Sequence, residues 1–207
     1  MPATGHKHGW KTKKKRRKFK NCEDAGRQMQ EDAANGVHWG EANWDVSATT
    51  SHSQVKKNDD GTWTASTTVH RTLNQRGSSV VVDQPYWPGM TSDDHDAVDA
   101  ATGGLEDHEN GHLEIAKDFA DSWGDGDGNT SLTGTGSTRQ DAVNDLRDKI
   151  SQDAKDFTDG LQKREDDYDD FTDHGTKQSD GPDHKDADGD DDPYPGGDDS
   201  KLNCPGR

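Results

Sequence analysis

His108-Glu109-Asn110-Gly111-His112 is the stretch whose residue types and spacing can do chemistry. Four residues on an α-helix turn through about 400°, so two imidazoles at that separation leave one face, one turn apart, and can share a zinc ion. Glu109, beside the first imidazole, is placed to take a proton from a water activated by the metal. His-Glu-x-x-His on a helix therefore points to zinc peptidase chemistry, the alternative being two solvent-facing histidines on an acidic helix.

The surrounding elements suit that reading. Leu105, Leu113, Ile115, Ala116, Phe119, Ala120 and Trp123 give a buried side to a helix running from after Gly103-Gly104 to Gly124. A longer helix begins near Thr138, with Val143, Leu146, Ile150, Phe157, Leu161, Tyr168 and Phe171 as its buried stripe, and Gly160 interrupts it. Upstream, 23–34 reads as a short helix ended by Asn35-Gly36. Stretches 37–53, 62–73 and 78–83, rich in Val, Thr and Trp, read as strands, with a hairpin turn at 56–61. Pro85-Tyr86-Trp87-Pro88-Gly89 closes the strand region, and 124–137 reads as an Asp/Gly-rich loop. The fold class is α+β, an antiparallel β region followed by the His-Glu-x-x-His helix and a long C-terminal helix.

Taken alone, composition argues against a core. Of 207 residues only 22 are Leu, Ile, Val or Phe, and 42 acids against 25 bases give a net charge of −17; such figures are usual in disordered chains. Six Trp, and 35 Asp to 7 Glu, are not usual there. The reading that accommodates both is a halophilic fold, whose strongly hydrated acidic surface suits concentrated salt, where screening removes self-repulsion. No stretch reaches the roughly 20 apolar residues of a membrane span.

Charge divides the chain into three. Residues 1–22 hold nine bases and no acid, 23–178 hold 13 bases and 33 acids, and 179–207 hold 3 bases and 9 acids. The first segment reads as a flexible basic arm whose residues 7–20 could bind nucleic acid or an anionic surface, or fold back on the acidic body. Arg16-Arg17-Lys18-Phe19-Lys20 has the look of a twin-arginine export signal, but Asn21-Cys22-Glu23-Asp24 follows in place of an apolar run, and no signal peptide is read. The last segment, dominated by Pro, Gly and Asp, reads as a disordered tail. Stretches 125–129 and 186–190 alternate oxygen ligands as calcium loops do, without the Gly and Glu that complete an EF-hand. Cys22 and Cys204 could close the chain with a disulfide if the protein is exported, but a pair so far apart has no diagnostic spacing, and the sequence leaves the pairing open.

In order along the chain, Pro85-Tyr86-Trp87, then His108-Glu109-Asn110-Gly111-His112 with Ile115-Ala116, then Tyr168-Asp169-Asp170-Phe171-Thr172-Asp173-His174-Gly175 resemble a family of bacterial zinc-dependent proteases inferred from sequence and catalogued mainly as a domain of unknown function. The resemblance spans about 37–178. It implies a small zincin-like domain over 23–178 that takes Zn2+ and a protein or peptide substrate, and it points outward, to periplasm or medium. The family pattern is Tyr-Asp-x-x-Thr-x-His-Gly in the last segment, matched here by Tyr168, Asp169, Thr172, His174 and Gly175.

The third metal ligand has several candidates. Asp118 stands six residues after His112, but a helix continuing through Ile115-Ala116-Lys117 turns it about 120° away. Asp141 and Asp145 open the next helix. His174 is preferred, because neutral imidazole is a good zinc ligand, a long element can fold it back, and it lies in the segment that resembles the family. Tyr168 and His95 are candidate oxyanion donors, core packing being the other role for Tyr168. Asp169 or Asp173 could orient a ligand imidazole. The resulting expectation is a zinc metalloendopeptidase with Glu109 as general base and His108, His112 and His174 as ligands. A non-catalytic zinc module, and a structural or interaction protein using the basic arm, are the other classes.

Overall fold

Alternation along the most regular strand shows how few apolar residues the fold needs. In the computed structural model, which describes residues 10–174 and 201–205, Trp63–Leu73 buries Ala65, Thr67, Val69, Arg71 and Leu73 and turns the residues between them outward. The elements in chain order are β1 (Lys11–Lys18), α1 (Cys22–Ala34), β2 (Gly40–Asn43), β3 (Val46–Thr50), β4 (Gln54–Lys57), β5 (Trp63–Leu73), β6 (Ser79–Tyr86), α2 (Ser92–Ser122), β7 (Asn129–Gly136) and α3 (Arg139–Thr172). This is an α+β fold with mainly antiparallel pairing and a long C-terminal helix. No helix among the described residues is long and apolar enough to cross a membrane.

The chain divides into two units. One comprises Met1–Trp44, Gln75–Glu114 and Asp166–Arg207; the other comprises Asp45–Asn74 and Ile115–Glu165, so both α2 and α3 contribute to each.

In the first unit, β6 is the middle of a three-stranded sheet, antiparallel to β2 and parallel to β1. Val80 and Val82 of β6 are fully buried and pack with Trp39, Leu105 and Leu113. Within the arm expected as flexible over 1–22, Lys11–Lys18 is instead strand β1, residues 1–9 lying outside the described residues. Lys11–Lys18 pairs with Ser79–Tyr86 residue for residue, and Cys22 is already the first residue of α1. Charge explains how so basic a segment docks: Arg17 bonds Asp83 at 3.2 Å and Asp32 at 3.1 Å, and its guanidinium lies 4.2 Å from the Trp39 ring centre. Trp39 Nε1 donates to the same Asp32 at 2.8 Å. Burial of the Asp32 carboxyl pushes its pKa up, but bonds from Gln28, Trp39 and Arg17 outweigh this and hold it below the ordinary value. Lys14 pairs with Glu106 and Arg16 covers Tyr86, while Lys11, Lys13 and Lys15 are exposed. Of the segment read as a disordered tail, 201–205 are described, while the rest, including 186–190, lies outside the described residues. Cys204 is bonded to Cys22, with Leu202 packed nearby against the cluster of Cys22, Ala25, Trp87 and Val98.

In the second unit, β3 and β4 line one edge of β5 and β7 lines the other, all antiparallel. The stretch expected as one strand at 37–53 is thus β2 and β3, and the turn falls just after β4, where Gly61 has φ +87°. β7 falls where a loop is expected. Its sequence NTSLTGTG offers little apolar signal, because Gly134 and Gly136 stand where Cβ atoms would run into the backbone of α3 at Ala142 and Leu146. The turn before it, 125–129, is tight, with positive φ at Gly126, Asp127 and Gly128, and Asp125 accepts from Ser131 N–H at 3.0 Å. Gly160 does not interrupt α3; it gives room to the Phe119 ring. Buried Arg71 bonds Asp153 and lies 4.9 Å from the Phe157 ring centre, and Asp153 also accepts from Trp123 Nε1 at 3.0 Å.

Reduction of the Cys22–Cys204 bond, which closes a loop of 182 residues, should lower stability by about 2–5 kcal/mol. Denaturant unfolding of the native protein with and without reductant checks this, with a Cys22→Ser, Cys204→Ser variant matching the reduced curve.

Candidate metal centre

The site is built from two helices of the first unit. α2 carries His108, Glu109 and His112, all buried, and the last turn of α3 carries Tyr168, Asp169 and Thr172. The helix geometry inferred from the spacing holds: the Nε2 atoms of His108 and His112 are 3.2 Å apart. α2 is longer than expected, starting at Ser92 and passing through Gly103 and Gly104 without a break.

What lets the two helices meet is Gly111. A Cβ there would fall inside the Tyr168 phenol, which is fully buried. The ring stacks on His108 with centres 5.0 Å apart and meets His112 edge-on at 4.9 Å. Tyr168, with no exposed surface, packs beneath both imidazoles, which is the other role expected for it.

Asp169, one position on, sends Oδ1 to 3.1 Å from both Nε2 atoms. His108, His112 and Asp169 are the group among the described residues that could hold a metal ion, their ligand atoms lying within 4.8 Å of one another. Burial pushes the Asp169 carboxyl toward neutrality, but the imidazoles of His108 and His112 outweigh it and hold its pKa well below the ordinary carboxylate value.

Asp169, and not the expected His174, is the residue whose ligand atom lies with those of His108 and His112. The physical reason is helical phase. α3 ends at Thr172, Asp173 and His174 take positive φ, and His174 N–H closes on Asp169 C=O at 3.0 Å, so His174 lies past the helical face that carries Asp169. His174 is exposed, with Nδ1 3.4 Å from Asp169 Oδ1 and its ring 4.5 Å from that of His38. Asp118 is exposed on α2 beside Lys117, as its phase predicts. Asp141 forms a capping box with Thr138, and Asp145 accepts from Thr135 N–H at 2.7 Å. His95 lies exposed in the first turn of α2, thirteen residues or about 20 Å of helix before His108. Asp173 is exposed.

Two contributions escape the sequence reading. Thr172 is buried, its Oγ1 3.2 Å from His108 Nδ1 and 2.8 Å from the carbonyl of Tyr168. Gly40 of β2 faces Glu109 so closely that a Cβ would overlap its carboxylate. The spacing Tyr168, Thr172 at i, i+4 was the available signal for the first; nothing local marks the second.

Residues 18–175 match a profile described as a bacterial protein of unknown function (DUF922). The chain belongs to this DUF922 family. No curated protein and no solved structure matches it. The DUF922 match begins at the last residue of β1 and ends just past α3, so it takes in every residue of the site.

Gly111→Ala should destabilise the protein by about 1–3 kcal/mol, since Tyr168 must move in a packed interior. Gly103→Ala, in the same helix with open space at its Cβ, should be neutral or stabilising by up to about 1 kcal/mol. Urea unfolding of the two variants makes the comparison.

Proposed function

We propose that this DUF922 chain is a zinc-dependent metalloendopeptidase in which His108, His112 and Asp169 hold the metal and Glu109 is the general base. The observation that carries the reading is the convergence of two buried imidazole nitrogens and a half-buried carboxylate oxygen. A proton shared on one imidazole can serve this space only in part, whereas a cation meets all three lone pairs at once. Two nitrogens and one oxygen fit zinc, and three protein ligands are the number found in catalytic sites.

Zinc bound by these residues would supply Lewis acidity toward a peptide carbonyl and a water. Glu109 would then be the base that takes the water's proton and returns it to the departing amine. Tyr168 holds both imidazoles in place from below, and Asp169 brings the negative charge that offsets a dication. β2 is an edge strand of its sheet, and its Gly40 lies against Glu109. An extended peptide added to that edge by main-chain hydrogen bonds would therefore run past the general base. The Cys22–Cys204 bond supports an oxidising compartment, outside the cytoplasm, as the place of work.

Purified protein should contain about one zinc per chain and cleave unstructured protein substrates, measured by metal analysis and release of peptide fragments. Asp169→Ala should lose the metal. Glu109→Gln should keep it and lose proteolysis by about 10²–10⁴-fold; unchanged proteolysis in Glu109→Gln, or no zinc in the wild type, defeats the proposal. Gly40→Ala should keep zinc and lower kcat on the order of 10²-fold, because it pushes the general base aside.

A further inference from the structure

We infer that Thr172 is a positioning residue that fixes the tautomer and orientation of the His108 ring so that Nε2 is the nitrogen offered to the metal, an inference that rests on the metal reading of this site. A hydroxyl has one hydrogen. The Thr172 hydroxyl lies 2.8 Å from the carbonyl oxygen of Tyr168, which can only accept, so its hydrogen is committed there. Toward His108 Nδ1, 3.2 Å away, it then has only lone pairs to present. Nδ1 must carry the hydrogen of that contact, and Nε2 of the neutral ring is left with its lone pair, 3.1 Å from Asp169 Oδ1 and 3.2 Å from His112 Nε2.

The spacing in α3 follows from this. Tyr168 and Thr172 share a helix face at i, i+4, so one turn of α3 both stacks a ring on His108 and supplies an acceptor to its edge. Threonine in a helix readily bonds the carbonyl four residues back, and its β-branch limits the rotamers open to it. The hydroxyl is thereby oriented before any metal arrives. Both residues are buried, so water does not compete for Nδ1 with the bound hydroxyl.

The test compares wild type with Thr172→Val, which keeps the shape and removes the hydroxyl, and Thr172→Ser, which restores it. Zinc affinity, measured against a competing chelator, should fall about 10–100-fold in Thr172→Val and recover in Thr172→Ser. In the zinc-loaded wild type the His108 Nδ1–H should give a slowly exchanging downfield proton resonance, present in Thr172→Ser and lost in Thr172→Val. Far-UV circular dichroism of the zinc-free proteins verifies that each variant is folded. If Thr172→Val does not fold, the wild-type resonance decides, since its absence in the zinc-loaded protein overturns the inference. If wild type binds zinc and Thr172→Val binds equally well with the resonance intact, Thr172 has no such role and the metal reading stands. If wild type takes up no zinc, both fall.

Discussion

The approach of α3's last turn to the His-Glu-x-x-His turn of α2 is the constraint on which the site depends. It requires a position without a Cβ, Gly111, and a ring large enough to fill the gap, Tyr168. Once that contact is made, helical phase does the rest. Asp169 follows Tyr168 by 100° and reaches both Nε2 atoms, and Thr172 returns to the same face one turn later and reaches His108 Nδ1. A glycine in a helix interior normally costs about 1 kcal/mol against alanine; here it is the condition for bringing three kinds of side chain to one imidazole pair.

The scarcity of apolar residues is reconciled with a fold by where they are spent and by what substitutes for them. Small residues such as Ala65, Ala142 and Gly134 let β7 and α3 come close with little side-chain volume. Arg71 and Arg17 contribute as flat cations, each on an aromatic ring and each bonded to carboxylates. The basic segment at the start of the chain, which by charge alone looks separate from an acidic body, is attached for the same reason: its arginine meets Asp32, Asp83 and Trp39 together.

Much of the architecture was legible. The 3.6-residue stripe of α3, the burial of Leu105 to Ala120 on α2 and the alternation of β5 all appear as the periodicities imply. What was misread shares one cause. β1 is made of lysines and arginines and β7 of threonines and glycines, so neither carries an apolar period; both are strands because a neighbour, β6 or β5, supplies the hydrogen bonds. The expectation of His174 beside the imidazoles, where Asp169 lies, has a similar origin. Ligand chemistry favours histidine, but which of two nearby residues reaches the imidazoles depends on where the helix ends, and α3 ends between them.

By itself, then, the sequence determined what is local and periodic. That covers the shared face of His108 and His112, the glutamate beside His108, the class of the fold and the segment from Tyr168 to His174 whose pattern resembles a family's. Only the tertiary structure decided the partners of that face. Asp169 beside both Nε2 atoms, Tyr168 as a floor, Thr172 on Nδ1 and Gly40 against Glu109 are contacts between residues far apart in the chain. Their selection rests on helix phase and the closeness of two backbones, quantities that no spacing within one element records.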